Sequence, residues 1–368
     1  MIIGVPKEIK THEYRVGITP FGVEELKKDG HTILIETSAG EGSGFSDDEY
    51  LKADADVVDR DAVFKKADLI VKVKEPLSSE YDLIKDSQAI FAYLHLAPNR
   101  KLTELLLNKQ VTALAYETLQ KDGNLPLLAP MSEIAGRIAP LIGAYYLQKI
   151  HGGSGILPTG VAGVKPANAL ILGAGVVGSN AARVCIGMDM DTVIMNRGME
   201  RLQRLDELFM GKIKTLPLTA HNIKEEIQNA DIIIGAVLVP GGKTPVLVTR
   251  DMLKTMKKGS VIVDVSVDQG GCVETSRPTT HDNPVYGVEG ILHYTVVNMP
   301  GAYPRTSTLA LTNATLPYIK TIAKIGIRGA IMENAAIKRA LNAYRGEITH
   351  KALADSLNHN YKNIDGIL

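Results

Sequence analysis

Four charged or titratable side chains in this sequence are of the types that perform acid–base and carboxylate-binding chemistry. Lys74 follows the apolar run LIVKV, His95 lies in IFAYLHLAP, Asp268 follows SVIVDVSV and precedes Gln-Gly-Gly, and Arg15 lies in HEYRVGITP. Ligands of open α/β sheets bind beyond the carboxyl ends of strands, so these positions are candidates for a site. Arg15 could clamp a carboxylate, Lys74 adds a cation, and His95 can move protons near neutral pH. The ordinary alternatives are a surface salt bridge for Arg15, a satisfied core residue for His95 and a turn residue for Asp268.

A glycine-rich turn lies in ALILGAGVVGSNAARV, residues 169–184. Gly173, Gly175 and Gly178 form a G-x-G-x-x-G pattern between an apolar strand pattern and a helix-like run. The first glycine permits a tight turn, the second lets a pyrophosphate approach the backbone, and the third lets helix and strand pack closely. The phosphates would lie at the helix N-terminus. The pattern therefore predicts dinucleotide binding, with a structural turn as the alternative.

The strand after this turn ends at Asn196, 23 residues beyond Gly173, where a dinucleotide-binding sequence usually has an acid. An acid would bind the adenosine ribose hydroxyls and repel a 2′-phosphate. Asn keeps the hydrogen-bonding capacity and removes the repulsion. Arg197 and Arg201 could place guanidinium groups near a phosphate, or they are solvated helix-surface residues. We expect NAD as the cofactor, with NADP possible because of Asn196 and Arg197.

The hydrophobic pattern predicts the elements that position these residues. Short apolar runs predict buried parallel strands at 31–36, 67–76, 88–98 and 110–117, and again at 168–172, 191–195, 231–238, 260–267 and 292–297. A helix is predicted at 132–149, capped by Ser132, and the chain from Thr306 is predicted to be helical and to pack back on the first domain. The expected fold is α/β with two Rossmann-like, doubly wound domains. Residues 1–130 plus 305–368 form a substrate and catalytic domain, and residues 131–304 form a dinucleotide-binding domain.

Composition excludes other classes of function. The 368 residues contain 41 Lys plus Arg and 41 Asp plus Glu, and no basic run indicates nucleic-acid or membrane binding. Cys185 and Cys272 lie in apolar stretches, which favours buried thiols in a reducing compartment. No apolar run reaches the roughly 18 residues that a membrane span requires, so we expect a cytoplasmic protein. No metal or nucleophile motif is present in the sequence.

The sequence resembles the alanine dehydrogenases over essentially its whole length. The resemblance rests on IGVPKEIKTHEYRVGITP, IVKVKEP, FAYLHLAP, LAPMSEIAGR, the glycine turn, IGAVLVPG, VIVDVSVDQGGCVETSRPTT, VNMPGA and ALTNATLPY. It implies that Arg15 and Lys74 hold the substrate and that His95 and Asp268 are the catalytic pair. It also implies a set of residues lining the cofactor, which are Ser132, Val176, Val177, Arg201, Val237, Leu238, Val265, Ser266, Val267, Asp268, Arg277, Val296, Val297, Asn298 and Met299.

The resemblance further implies an active site in the cleft between the domains, L-alanine, pyruvate and ammonium as the substrates, and a homohexamer. Asn196 departs from the family, which typically has Asp there, and this puts the cofactor preference in doubt. An alternative is a transhydrogenase-like NAD-binding subunit, which would need neither His95 nor the Asp268 turn. A non-catalytic dinucleotide sensor and a dehydrogenase of another amino acid are further alternatives.

Overall fold

The computed structural model describes residues 1–237 and 244–367, which form two compact units. Unit 1 comprises Met1–Met131 and Tyr303–Leu368, and unit 2 comprises Ser132–Ala302. Each unit contains one β-sheet with its own hydrophobic core.

Unit 1 is built on an eight-stranded sheet. Its strands are β1 (Ile2–Val5), β2 (Thr32–Glu36), β3 (Asp56–Val58), β4 (Leu69–Val71), β5 (Ala89–Ala92), β6 (Thr112–Ala115), β14 (Leu341–Tyr344) and β15 (Glu347–Ile348). The strand order is β15-β14-β6-β5-β4-β1-β2-β3. Strands β1 to β6 run parallel to one another, and β14 pairs antiparallel with both β6 and β15. The chain winds outward in both directions from the β1/β4 pair, which makes that pair the topological switch point where ligands of such sheets bind.

Several helices of unit 1 begin at residues whose side chains cap them. They are α1 (Pro20–Lys28), α2 (Asp47–Lys52), α3 (Arg60–Lys66), α4 (Arg100–Asn108), α10 (Pro304–Glu333), α11 (Ala335–Ala340) and α12 (Lys351–Leu357). Thr19, Ser46 and Asp59 each accept a hydrogen bond from a backbone N–H of the first turn, which satisfies donors that a helix start leaves unpaired. Helix α10 is kinked at Gly326, whose φ of 75° lies outside the helical region.

Unit 2 has a seven-stranded sheet of the same kind. Its strands are β7 (Asn168–Leu172), β8 (Asp191–Asn196), β9 (Lys214–Pro217), β10 (Ile232–Gly235), β11 (Val261–Asp264), β12 (Val285–Val288) and β13 (Ile291–Tyr294), in the order β12-β13-β11-β10-β7-β8-β9. Among the described strands of this sheet, only β12 pairs antiparallel with its neighbour. The helices are α6 (Val176–Gly187), α7 (Met199–Phe209), α8 (Ala220–Glu226) and α9 (Arg250–Leu253). Helix α5 (Ala129–Tyr146) leads from unit 1 into unit 2.

The parallel strands and the Rossmann-like class predicted from the sequence are confirmed, with differences at the ends of elements. The predicted runs 67–76 and 88–98 overextend β4 and β5, because the apolar residues beyond each strand are buried in loops. Helix α5 begins at Ala129, so Ser132 lies within its first turn and is not its cap. Strand β11 ends at Asp264, and Asp268 lies in a short 3-10 helix, Val267–Gln269, rather than directly after the strand.

The chain after Thr306 packs back on the first sheet, as predicted, but it is not helical to its end. Strands β14 and β15 form a hairpin that extends the sheet beyond β6. Both cysteines are buried and unbridged, and burial raises the pKa of the Cys185 thiol to about 12. Within residues 1–237 and 244–367, no helix is both long and apolar enough to cross a membrane, and no three metal-binding side chains cluster.

Candidate active site and dinucleotide turn

The candidate substrate residues of unit 1 lie at the carboxyl edge of its parallel strands. Arg15 follows β1, Lys74 follows β4 and His95 follows β5. Because these strands are neighbours and parallel, the segments after them meet at the switch point of the sheet. The structure thus brings the three predicted residues to one edge, which their sequence separation does not reveal.

Arg15 forms a buried ion pair with Glu13. Its Nε lies 2.6 Å from Glu13 Oε1 and its Nη2 lies 2.5 Å from Glu13 Oε2, and the two side chains are 1% and 0% exposed. Burial lowers the pKa of Arg15, but the paired carboxylate more than offsets this and the pKa lies above its ordinary value. The surface salt bridge considered for Arg15 is therefore wrong. The guanidinium is held rigidly, with Nη1 2.9 Å from Met131 Sδ.

Lys74 is held through its backbone by a buried carboxylate. Glu8 Oε1 accepts the N–H groups of Val73, at 2.6 Å, and of Lys74, at 3.2 Å. The other oxygen of Glu8 lies 3.4 Å from Lys72 Nζ, which also lies 2.9 Å from Glu80 Oε1. Burial, and then the charge of nearby Arg15, lower the pKa of Lys74. Arg15 therefore lies close enough to Lys74 to affect its protonation, and two neighbouring cations suit an anionic ligand.

His95 is exposed, so the core-residue interpretation of this histidine is wrong. Its backbone is in the left-handed region, with φ of 45°. The backbone N–H of His95 donates to Glu117 Oε1 at 2.7 Å, and the backbone N–H of Leu94 donates to Glu117 Oε2 at 3.3 Å. Its ring stacks on that of Tyr93 with centroids 6.3 Å apart, and the Tyr93 hydroxyl donates to the Leu127 carbonyl at 2.5 Å. An exposed imidazole on a fixed backbone can exchange protons with a ligand.

The three glycines of the turn in unit 2 have different physical requirements. Gly173 has φ of 109°, and a Cβ there would lie 2.6 Å from the Ala236 carbonyl oxygen. A Cβ on Gly178 would lie 1.8 Å from the Gly173 carbonyl oxygen, so α6 packs on β7 only with glycine at this position. Gly175 precedes α6, and a Cβ there would meet only Arg201 Nη1, at 3.9 Å. This open space above the start of a twelve-residue helix fits a pyrophosphate.

Asn196 joins the glycine turn to the start of α7. Its Oδ1 accepts the Ala174 N–H at 3.3 Å, and its Nδ2 donates to the Gly198 carbonyl at 3.0 Å. Arg197 and Arg201 are both exposed, and the guanidinium of Arg201 lies beside Gly175. The structure therefore brings Arg201 to the turn.

Asp264 organises the segment that carries Asp268. Its carboxylate accepts the N–H groups of Ser266, Cys272 and Val273, at 3.0, 2.9 and 3.3 Å, and the Ser276 hydroxyl at 2.6 Å. Burial raises the pKa of Asp264, and these four donors oppose the rise. The segment is thereby closed into a loop that presents Asp268 on its exposed side.

The remaining predicted cofactor residues of unit 2 lie at the edge of its sheet where the parallel strands end. Val237 follows β10, and its carbonyl accepts the Ser266 hydroxyl at 2.7 Å. Leu238 lies outside the described residues. The other positions follow strands or start helices, and they are Val176 and Val177 at the start of α6, Val265 and Val267 after β11, and Val296, Val297, Asn298 and Met299 after β13.

Arg277 and Ser132 reach this edge by different routes. The guanidinium carbon of Arg277 lies 4.4 Å from the centroid of the Tyr286 ring, and the Arg277 carbonyl accepts the Thr295 hydroxyl at 2.6 Å. Ser132 lies one helical turn before Gly136, where a Cβ would come within 2.3 Å of the Val177 carbonyl. Helix α5 therefore crosses the start of α6 in close contact.

Sequence reasoning missed the carboxylates that hold these segments. Glu8, Glu13, Glu117 and Asp264 accept backbone or guanidinium donors at the two sheet edges. Glu117 carried a usable signal, since it is the charged residue that ends the run QVTALAYE, much as Lys74 follows its strand. Glu13 had no comparable signal, because its role depends on a contact with Arg15.

A glycine turn of this kind serves a dinucleotide, and a buried arginine beside a lysine and an exposed histidine suits a small carboxylate, so the class of protein is a Rossmann-type oxidoreductase. The chain belongs to the alanine dehydrogenase/PNT family. It matches the N-terminal domain of that family over residues 4–135 and the C-terminal domain over residues 139–351.

Individual relatives match the chain along its whole length. Alanine dehydrogenase 2 of Staphylococcus aureus strain USA300 is 48% identical over 370 residues, which cover 100% of both chains. A solved L-alanine dehydrogenase superposes with a TM-score of 0.95 at 47% identity, covering 97% of this chain and 99% of the other. A transhydrogenase from Sinorhizobium meliloti superposes with a TM-score of 0.82 at 26% identity, covering 96% of this chain and 100% of the other.

Proposed function

We propose that the protein is an alanine dehydrogenase that catalyses the reversible, NAD-dependent oxidative deamination of L-alanine. The observation that carries the proposal is the meeting of Arg15, Lys74 and His95 at the switch point of the first sheet, in a chain nearly half identical to alanine dehydrogenases over its full length. L-Alanine, NAD⁺ and water give pyruvate, ammonium, NADH and a proton.

In this proposal, Arg15 and Lys74 bind the substrate. Glu13 engages Nε and Nη2 of Arg15 and Met131 Sδ lies 2.9 Å from Nη1, so the guanidinium proposed to bind the substrate carboxylate is held in one orientation. Lys74 binds the carbonyl oxygen of pyruvate during reductive amination and the carbonyl oxygen that forms during oxidative deamination. Held by two fixed cations, the Cα–H bond of alanine has one orientation, which turns an encounter into an effectively unimolecular step.

The glycine turn of unit 2 fits the dinucleotide that such a reaction requires. Gly175 leaves room for a pyrophosphate at the start of α6, while Gly173 and Gly178 hold the turn against the sheet. The nicotinamide ring of the bound cofactor supplies the acceptor for the Cα hydride. Asn196 and Arg201 are placed for the adenosine half.

His95 is proposed to move the protons of the hydrolytic half of the reaction, and Asp268 is proposed as the second catalytic residue. Loss of hydride from Cα of the neutral amine leaves an iminium ion, and water adds to its carbon while His95 takes one water proton. His95 then returns this proton to the nitrogen of the carbinolamine, ammonia leaves, and the hydroxyl gives up its proton as the carbonyl forms. Histidine is the side chain that most often gives and takes protons in such steps.

The proposed activity is tested with purified protein by following the formation of NADH from alanine and its consumption with pyruvate plus ammonium. Glycine, serine, leucine and glutamate serve as alternative substrates, and the product from alanine is identified chemically. We expect the highest kcat/KM with alanine and pyruvate. A protein that binds NADH but transfers no hydride with any amino acid would instead be a transhydrogenase-like binding module or a dinucleotide sensor.

We further propose that NAD is the preferred cofactor and that NADP is tolerated. Asn196 puts no negative charge at the position where a 2′-phosphate would lie, and Arg197 and Arg201 are exposed near it. A charge pair about 4 Å apart is worth about 1 kcal/mol in water and about 4 kcal/mol near a protein surface. At a half-exposed position, Asn196→Asp should therefore worsen the use of NADPH relative to NADH by roughly 10-fold.

The test compares kcat/KM for NADH and NADPH in the wild type and in Asn196→Asp. Arg201→Ala should weaken both cofactors, since Arg201 lies beside Gly175, whereas Arg197→Ala should weaken NADPH alone. Unchanged discrimination in Asn196→Asp would mean that residue 196 contacts the ribose without selecting the cofactor. The predicted hexameric assembly and cytoplasmic location belong to the same proposal, and a monomeric mass in light scattering would contradict the hexamer.

A further inference from the structure

We propose that Glu117 is a positioning residue that holds His95 in its working geometry by accepting the backbone N–H groups of Leu94 and His95. This inference rests on the proposed function, since it assigns the proton transfer to His95. Glu117 itself performs no proton transfer in the proposal and acts only through the loop that carries the histidine.

The register of the sheet places Glu117 beside that loop. Ala92 and Ala115 are direct partners at the ends of the parallel strands β5 and β6. Leu94 lies two residues beyond Ala92, and Glu117 lies two residues beyond Ala115. Past the last pair of strand residues, the ladder no longer supplies an acceptor from β6. The Glu117 side chain replaces that acceptor, with distances of 3.3 Å to the Leu94 nitrogen and 2.7 Å to the His95 nitrogen.

The conformation of His95 explains why such support is needed. Its φ of 45° lies in the left-handed region, which residues with a side chain adopt at an energetic cost. A carboxylate that accepts two adjacent N–H groups stabilises this geometry, because hydrogen bonds to a charged acceptor are stronger than neutral ones. Without Glu117 the loop can relax toward an ordinary backbone conformation, and the imidazole then moves away from its stacked position on Tyr93.

The imidazole itself makes few other contacts that would fix its position. The side chain is exposed, and its ring contact with Tyr93 has a centroid separation of 6.3 Å, near the long end of the range for aromatic pairs. The backbone therefore sets where the ring lies. A displacement of about 1 Å in a catalytic group can cost about 10²-fold in rate.

The first experiment is a double-mutant cycle in kcat for pyruvate reduction. Glu117→Ala should lower kcat by about 10²-fold while NADH binding and the thermal unfolding midpoint stay close to those of the wild type. Added to His95→Ala, it should lower kcat by less than about 3-fold, because a positioning residue has no effect once its target is absent. Glu117→Gln retains one carbonyl oxygen for the shorter bond, so it should recover a large part of the lost activity.

Asp68→Ala is the matched control. Asp68 also uses a carboxylate oxygen to accept a backbone N–H of unit 1, that of Ile2 at 2.8 Å, but it directly precedes β4 and so lies at the opposite edge of the same sheet. This variant should keep full kcat. Multiplicative losses in Glu117→Ala/His95→Ala, or a kcat for Glu117→Ala within about 3-fold of the wild type, would overturn the proposal.

Amide hydrogen exchange measured by mass spectrometry tests the hydrogen bonds of Glu117 to Leu94 and His95 without any assay of activity. The peptide containing residues 93–96 should exchange at least about 10-fold faster in Glu117→Ala, with peptides from β5 unchanged. Unchanged exchange would also overturn the proposal. A wild-type protein inactive toward alanine and pyruvate would contradict the proposed function, and the exchange measurement separates that outcome from a failure of the Glu117 contact.

Discussion

Removing Arg15 should destabilise unit 1 as well as weaken substrate binding, because Arg15 is the partner of a fully buried carboxylate. In Arg15→Met, Glu13 stays in an environment where its side chain is 0% exposed and loses both guanidinium hydrogen bonds. Breaking a buried pair from one side typically costs about 3–5 kcal/mol, whereas replacing both partners by apolar residues of similar volume is often neutral. Glu13→Leu/Arg15→Met should therefore regain most of the stability that Arg15→Met loses.

The two effects are separable by experiment. The chain contains no Trp, so urea unfolding is best followed by far-UV circular dichroism. The unfolding midpoint should fall clearly in Arg15→Met and return toward the wild-type value in the double variant, while the KM for pyruvate should be raised in both. Protonation of Glu13 in Arg15→Met removes the buried charge that has lost the guanidinium, so the loss of stability should shrink as the pH is lowered.

Two results would refute this reasoning. An Arg15→Met protein that unfolds at the wild-type urea concentration would show that Glu13 finds other compensation at no cost. A double variant no more stable than the single one would show that the loss comes from packing of the arginine stem rather than from the charge of Glu13.

Three other predictions concern catalysis, folding of the glycine turn and pH. His95→Ala and Asp268→Ala should each lower kcat by at least about 10²-fold with unchanged circular dichroism, and near-normal turnover in both would contradict their assignment to proton transfer. Gly178→Ala should lower the Tm and weaken NADH binding, because the new Cβ would lie 1.8 Å from a backbone oxygen. Gly187→Ala in the same helix is the control, and it should not lower the Tm because the space around the new Cβ is open. Burial lowers the pKa of Lys74, so this side chain should lose its proton at a pH below the ordinary lysine value of 10.5. The KM for pyruvate should therefore begin to rise with pH before 10.5 is reached. A KM that rises equally in Lys74→Arg would exclude this cause.

The sequence predicted best those parts of the site whose geometry is local. The glycine turn, the strand before it and the strand after it follow one another within about 30 residues, and Gly178 is required by a contact with Gly173 inside that segment. Strand β7 accordingly has the predicted bounds, Asn168–Leu172. Lys74 and His95 were found because the carboxyl ends of parallel strands share one edge.

The parts that escaped prediction depend on distant partners. Strands β3, β9 and β12 are half-exposed and lack a continuous apolar run, and their pairing comes from neighbouring strands rather than from their own pattern. The β14/β15 hairpin is strand only because β6 offers it an edge. The hydrogen bonds that Glu8 accepts from the backbone N–H groups of Val73 and Lys74 form only in the folded chain, so no spacing in the sequence indicates them.

The interruption of unit 1 by unit 2 has a consequence for synthesis on the ribosome. Strand β6 emerges with the first part of the chain, but its outer neighbour β14 begins at Leu341, roughly 200 residues later. At about 5–20 residues per second, β6 waits about 10–40 s with an open edge, while all of unit 2 emerges and can fold. Open strand edges pair readily with other chains. The nascent chain should therefore be most prone to aggregation in that interval. Chaperones that shield a nascent sheet edge should raise the yield of folded protein more than they raise the stability of the finished enzyme.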